Sequence, residues 1–171
     1  MDEVELVDYN PRWPLSFDEE ATRLRAVLDP SFIVGLEHFG STAIAGLPAK
    51  PIIDILIAVR SLAAARASFV EPLRNLDYVY WAENPKQDRM FFVRGMPPFG
   101  ARRSHHVHVT EPDGEMWRRL AFRDYLRAHR AEAETYAQLK RRLAVEHPTD
   151  REAYTQAKSA YVESVMRKAG K

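Results

Sequence analysis

Residues 40–59 read GSTAIAGLPAKPIIDILIAV, and this stretch decides the fold that the sequence predicts. Its second half, residues 52–59, is a short run of β-branched and apolar residues, which is typical of a strand covered on both faces. Only Asp54 carries a charge within that run. The first half is dense in small residues and turn formers, so Gly40-Ser41-Thr42 is predicted to begin a loop that leads into the buried strand.

Helix and strand signals alternate on either side of this stretch. Further strand signals, with apolar residues in runs or in alternation, occur at residues 32–39, 78–81, 89–94 and 104–110. Helix signals, with an apolar period near 3.6, occur at residues 14–28, after Ser61, and over 115–129, 131–147 and 151–168. This order predicts an α+β fold, a twisted mixed sheet flanked by helices. We predict one domain over residues 1–171, with an α/β core to about residue 114 and C-terminal helices from about residue 115 packed on it.

The composition is that of an ordinary globular protein, since 46% of the 171 residues are hydrophobic and 29% are charged. No cysteine is present, which excludes disulfides, cysteine-ligated zinc and thiol nucleophiles and agrees with a reducing cytoplasm. The first residues are acidic and no long uncharged apolar run follows, so neither a signal peptide nor a membrane span is expected. We therefore expect a cytoplasmic protein without a membrane partner.

The net charge of +1 argues against a protein that binds duplex DNA through counterion release. The sum conceals a gradient, because residues 1–60 carry 5 basic and 10 acidic residues whereas residues 115–171 carry 13 basic and 8 acidic residues. The basic part either faces an anionic ligand or forms solvated helix faces attracted to the acidic part. A nucleic-acid surface on these helices is the interpretation that we favour least. The basic residues concerned are Arg118, Arg119, Arg123, Lys140, Arg141, Arg142 and Lys158.

Asp54 is the first candidate for chemistry. A carboxylate within an apolar strand is costly to bury unless a cation, a metal or hydrogen bonds neutralise it. One interpretation is a metal or phosphate site at the edge of the sheet, with the small residues of Gly40-Ser41-Thr42 close by. The other is an internal salt bridge to Lys50 or to an arginine, with the Gly-Ser-Thr segment serving only as a turn.

The second candidate is HHVHVT at residues 105–110, where alternation places His106, His108 and Thr110 on one face of a strand. Two histidines on one face can reach a single metal or phosphate. The alternative is an ordinary polar sheet face. The segment also approaches the His-x-His-x-His strand of the histidine-triad phosphotransferases, but Thr110 stands at the third position. A two-histidine phosphoesterase requires two His-x-Thr segments. The predicted strands of this sequence contain one, at residues 108–110, and no second copy.

Several blocks of the chain resemble the GrpB-like family of bacterial proteins. They are YNPRWP, EHFGSTAIAGLPAKPIIDILIAV, RSHHVHVTEPDGEMWRRLAFRDYLRAH, YAQLKRRLA and YTQAKSAYV, and the resemblance runs from about residue 4 to about residue 162. The resemblance implies a nucleotidyltransferase-like fold of the polymerase-β type. Similar domains occur fused to dephospho-coenzyme A kinases, which implies a link to nucleotide or coenzyme A metabolism.

In that superfamily a Gly-Ser turn binds nucleotide phosphates, and an Asp-x-Asp strand with a third carboxylate holds two magnesium ions. Gly40 and Ser41 match the turn and Asp54 matches the first carboxylate, which the resemblance makes the catalytic residue. Leu56 stands where the second carboxylate is expected. Glu37, or His106 with His108, are the candidates to replace it as metal ligands. Magnesium or manganese is expected with carboxylates, and a transition metal with the two histidines.

Three functions follow from these residues. The leading one is a nucleotidyltransferase-like protein that binds a nucleotide or another phosphorylated small molecule, with metal-dependent transfer. For that ligand Gly40, Ser41 and Thr42 are the phosphate-binding candidates, and Lys50 and Arg89 would neutralise its charge. The alternatives are a catalytically reduced nucleotide-binding or regulatory module, which Leu56 favours, and a metal-dependent phosphoesterase on the His106 and His108 strand. Arg89 could instead pair with Asp88 or Glu83.

Overall fold

A five-stranded mixed sheet forms the centre of the protein in a computed structural model, which describes residues 4–171. The strands are β1 (Ile33–Phe39), β2 (Ile53–Val59), β3 (Tyr78–Tyr80), β4 (Met90–Arg94) and β5 (His105–Thr110). Their order across the sheet is β1-β2-β5-β4-β3, and only β2 and β5 run parallel to each other. The predicted α+β class, with helices flanking a mixed sheet, is confirmed.

Eight α-helices surround the sheet in the part of the chain from residue 4 onwards. They are α1 (Trp13–Val27), α2 (Leu62–Ser68), α3 (Val70–Arg74), α4 (Glu115–Arg118), α5 (Leu120–Ala128), α6 (Arg130–Glu146), α7 (Arg151–Ala157) and α8 (Ser159–Lys168). The sequence predicts three helices after residue 115, whereas the structure has five. Of these three predicted helices, the one over residues 115–129 is interrupted at Arg119 and the one over residues 151–168 at Lys158. At each interruption the backbone N–H donates to the carbonyl oxygen three residues earlier, as in a 3₁₀ turn.

The two faces of the sheet have different roles. One face carries Ile55 and Val107 into the largest apolar cluster, which packs against α1, α2 and α3. The opposite face carries the side chains of Asp54 and His106. A second cluster joins α5, α6 and α8 to Ile44 and Leu47, so the C-terminal helices pack on the loop that precedes β2.

None of the helices within residues 4–171 is long and apolar enough to cross a membrane.

Candidate metal and anion site

The pairing of β2 with β5 brings Asp54, His106 and His108 together. Asp54 lies opposite His106 and Leu56 opposite His108, so alternation points all four side chains to the same side of the sheet. The Oδ1 atom of Asp54 lies 3.0 Å from Nδ1 of His106 and 3.5 Å from Nε2 of His108. One ligand atom from each of the three residues fits within a mutual distance of 4.8 Å.

This cluster has the donor set of a transition-metal site. Two imidazoles and one carboxylate suit a transition metal better than magnesium, which prefers oxygen ligands. The three side chains are partly open, with Asp54 25%, His106 13% and His108 14% exposed. Phe91 covers both imidazoles, at ring-centroid distances of 5.0 Å and 4.8 Å. The ring nitrogens that face away from Asp54 find no hydrogen-bond partner within residues 4–171.

The charges within the cluster favour metal-binding protonation states. Burial alone would raise the pKa of Asp54, but hydrogen bonds from His106 and His108 hold the pKa of this carboxyl well below its ordinary value. Burial lowers the pKa of His106 more than the neighbouring Asp54 raises it. An ionised carboxylate and a neutral imidazole are the forms that bind a metal.

Gly40 allows the loop before β2 to approach Asp54. Its φ angle is +71°, and a Cβ at this position would lie 2.6 Å from Oδ2 of Asp54. Both the backbone conformation and the close approach therefore require glycine. A short 3₁₀ turn, Ser41–Ala43, follows directly.

The hydroxyl of Thr42 is engaged within the protein. It shares a 2.9 Å hydrogen bond with Nε2 of the buried His38, which stacks on Phe17. Burial lowers the pKa of His38 to about 4, so this imidazole is neutral at neutral pH. All three turn residues proposed to bind phosphate line the adjoining cavity, but the Thr42 hydroxyl is taken up by His38, and the Ser41 side chain shares a hydrogen bond with Tyr136.

Glu37 does not replace the carboxylate missing at position 56. It lies opposite Leu56 on the correct face of the sheet, but its carboxylate accepts a 2.8 Å hydrogen bond from the buried guanidinium of Arg123. Arg123 neutralises this carboxylate and holds it outside the Asp54 cluster. Among the described residues, Asp54 is thus the one carboxylate in that cluster, and the residues do not fit a two-magnesium arrangement.

Arg89 is not among the residues that line the cavity at this site, which corrects the expectation that it neutralises the charge of the ligand. Its neighbour Met90 pairs with Val109, three residues along β5 from His106. The Arg89 guanidinium forms two 2.9 Å hydrogen bonds with the carboxylate of Asp88. The alternative assignment of Arg89 to a structural ion pair therefore describes its contacts.

A cavity of about 370 Å³ opens beside the cluster. Gly40, Ser41, Lys50, Asp54 and His106 line it from the sheet and the preceding loop. The structure thus brings these sequence candidates to one wall. Side chains of the C-terminal helices form the opposite wall, among them Arg119, Arg123, Tyr136, Lys140, Tyr154 and Lys158.

Lys140 and Lys158, which the sequence analysis names among the basic residues of the C-terminal helices, both line the cavity. Nζ of Lys140 donates a 2.5 Å hydrogen bond to the carbonyl oxygen of Pro48. Nζ of Lys158 lies 4.1 Å from the centroid of the Tyr154 ring, and Nζ of Lys50 lies 5.6 Å from the same centroid. Burial and the charge of Lys50 lower the pKa of Lys158 to about 7. The helical pattern of the sequence does not show which face of a helix meets a cavity, so it could not place either lysine there.

Comparisons with known proteins agree on one family. Residues 3–168 match the family model described as GrpB protein. A UPF0157 protein of Pseudomonas aeruginosa is 47% identical over 168 residues, which cover 98% of this chain and 68% of that protein. The crystal structure of the conserved protein GrpB from Enterococcus faecalis is 33% identical, with a TM-score of 0.85 and 96% of each chain covered.

A relative with a named activity is also found. A dephospho-CoA kinase of Mycolicibacterium paratuberculosis is 30% identical over 189 residues, which cover 97% of this chain and 46% of that protein. A region similar to this chain therefore makes up about half of that kinase.

Proposed function

Since this chain belongs to the GrpB family, whose fold it shares, we propose from the geometry of its site that it binds a phosphorylated small molecule, such as a nucleotide, beside a divalent transition metal. Asp54, His106 and His108 would hold the metal, and the cavity beside them would hold the ligand. The activity that this arrangement supports best is metal-dependent transfer of a phosphoryl or nucleotidyl group.

The observation that carries this proposal is the position of the three-residue cluster at the wall of a cavity whose other walls carry lysines. Phosphate esters bind where cations converge, and a metal neutralises developing charge during transfer. A cavity of about 370 Å³ is within the usual range for small-molecule sites. The Mycolicibacterium relative, named a dephospho-CoA kinase, gives a nucleotide-containing ligand further support.

The residues of this chain would have separate tasks. Asp54 would supply the negative charge of the metal site, and His106 and His108 would supply its nitrogen ligands. Gly40 allows the phosphate to approach the turn, where the Ser41 hydroxyl would bind its oxygens, while the Lys50 ammonium would neutralise part of the ligand's charge. A bound divalent metal would act as a Lewis acid on the phosphoryl oxygens.

Leu56 supports a second candidate function, a nucleotide-binding or regulatory module with reduced catalysis. Leu56 is fully buried beside Asp54 and cannot hold a second metal ion. Two-metal transfer depends on both ions to clamp the attacking and leaving oxygens. Hydrolysis by a metal-dependent phosphoesterase on the same histidines is the third candidate, and it differs in using water as the acceptor.

Metal titration tests the proposal directly. Zinc and manganese binding would be measured by calorimetry for the wild type, His106→Gln and His108→Gln. His105→Gln is the matched control, because His105 lies on the same strand and faces the other side of the sheet. We expect the two site variants to lose about ten-fold or more in zinc affinity while the control keeps it. Equal zinc affinity in all four proteins would exclude this metal site.

Turnover separates the candidate functions. Nucleoside triphosphates and coenzyme A precursors would be screened with each metal for stabilisation and then for product formation. A metal-dependent product that the Asp54→Asn variant fails to form supports transfer or hydrolysis, according to the acceptor found. Ligand binding without turnover in either protein supports the binding module.

A further inference from the structure

Three lysines from separate elements converge on the cavity. Lys50 lies in the loop before β2, Lys140 on α6, and Lys158 at the junction of α7 and α8. The ring of Tyr154, one helical turn before Lys158, lies beneath the ammonium groups of both Lys158 and Lys50. Tyr154 is completely buried and holds a fixed position between the two.

The positive charges of Lys140 and Lys158 are not balanced by carboxylates in the way that the charges of the cavity's arginines are. Arg119 pairs with Glu115 at 2.7 Å and Arg123 with Glu37 at 2.8 Å. Within residues 4–171, by contrast, no carboxylate forms an ion pair with Lys140 or Lys158. The pKa of Lys140 lies well below its ordinary value because of burial and the charges of Lys158 and Lys50.

We propose that Lys50, Lys140 and Lys158 form an oxyanion subsite that binds a second phosphoryl group, so that the ligand carries a diphosphate or a longer phosphate chain. This inference rests on the proposed function, in which the first phosphoryl group lies beside Asp54 and Ser41. Buried like charges repel each other, and a bound polyanion relieves that repulsion. Lysine ammonium groups are compact point charges on flexible stems, which suits the terminal oxygens of a phosphate chain.

The fold supports two distinct positions for negative charge. Asp54 is itself an anion, so a phosphoryl group next to it requires the metal. The lysine subsite requires no metal, because a bound polyanion favours the charged ammonium forms of these lysines. The two positions should therefore separate experimentally when the metal is removed.

Binding of inorganic pyrophosphate to metal-free protein in the presence of EDTA tests the subsite. Calorimetry would compare the wild type, Lys158→Gln and Lys50→Gln with Lys86→Gln, which removes an exposed lysine outside the cavity. We expect pyrophosphate to bind the wild type at least about ten-fold more tightly than orthophosphate. Each cavity variant should lose about ten-fold or more in pyrophosphate affinity, and Lys86→Gln should lose none.

The outcomes separate this inference from the proposed function. Failure of the wild type to bind pyrophosphate, or unchanged affinity in both folded cavity variants, overturns the subsite even if zinc binding to His106 and His108 is intact. Pyrophosphate binding that persists while zinc binding is absent supports the subsite and removes the metal proposal. Circular dichroism confirms that each variant is folded, and the two variants come from separate elements, so that a folding defect in one leaves the other informative.

Discussion

The guanidinium of Arg123 donates a 2.8 Å hydrogen bond to the Glu37 carboxylate, across from Leu56 on the neighbouring strand. This ion pair joins α5 to β1 and takes up the charge of Glu37. Arg123 also donates a 2.7 Å hydrogen bond to the carbonyl oxygen of His38. Glu37 therefore stabilises the packing of a helix on the sheet and is not available as a metal ligand.

Glu37→Gln should consequently leave zinc affinity unchanged and lower the free energy of unfolding. The loss should be about 1–2 kcal/mol, because Glu37 is partly exposed and Arg123 keeps its contacts with His38 and Asp124. Urea unfolding and zinc titration measure the two effects on the same sample. If Glu37→Gln lost as much zinc affinity as His106→Gln, Glu37 would have to be a metal ligand.

Gly40→Ala should damage the site as well as the fold. The added Cβ would both adopt an unfavourable positive φ angle and displace the Asp54 carboxylate, so we expect a loss of about 2–4 kcal/mol in unfolding free energy and weaker zinc binding.

Gly46→Ala is its control, since Gly46 has a φ angle of +78° but no atom within 4 Å of the added Cβ. It should lose only about 1–2 kcal/mol and keep the zinc affinity of the wild type. If Gly40→Ala and Gly46→Ala had the same unfolding free energy and the same zinc affinity, the close approach of Gly40 to Asp54 would not contribute to the site.

Tyr154→Phe should retain pyrophosphate binding, because the ring beneath Lys158 and Lys50 remains in place. The hydroxyl of Tyr154 is buried and has no hydrogen-bond partner among the described residues. Its removal should leave the free energy of unfolding unchanged or raise it by up to about 1 kcal/mol. Thermal unfolding and calorimetry check both expectations. A marked loss of stability would reveal a partner for this hydroxyl.

The sequence predicts the architecture well because its strongest signals are local. The run at residues 52–59 has the periodicity of a buried strand, and alternation alone places His106 and His108 on one face. Residue alternation also shows that Leu56 belongs to the face of Asp54. These features depend on the 2-residue repeat of a strand. That repeat can be recognised within one segment, without knowing which other strands pair with it.

The remainder of the site depends on contacts between distant segments. Nothing in the local sequence indicates that Arg123 pairs with Glu37, 86 residues earlier, or that Arg89 pairs with Asp88 outside the cavity. The convergence of Lys140 and Lys158 on the cavity depends on the packing of α6 and α8 against Ile44 and Leu47. The break at Lys158 is also absent from the helical pattern, since each half alone has a helical period.

Lys158 should make the stability of the protein depend on pH. The unfolded chain keeps the proton on this lysine up to its ordinary pKa of 10.5, whereas burial and the charge of Lys50 lower the pKa in the folded chain to about 7. Between these values the unfolded state binds more protons, so the free energy of unfolding rises as the pH increases. Below pH 7 Lys158 is protonated in both states, so the folded state carries the full free-energy cost of a buried charge near Lys50 and Lys140.

The difference between the wild type and Lys158→Gln reports this contribution together with the effect that the Lys158 charge has in lowering the pKa of Lys140. We expect that difference, measured by urea unfolding, to move in favour of the wild type from about pH 6 to about pH 9.5. Saturating pyrophosphate should reduce the slope, since a bound anion favours the charged form of Lys158 in the folded state. If the difference in unfolding free energy did not change with pH over this range, Lys158 would have an ordinary pKa, and burial and the neighbouring charges would not oppose its positive charge.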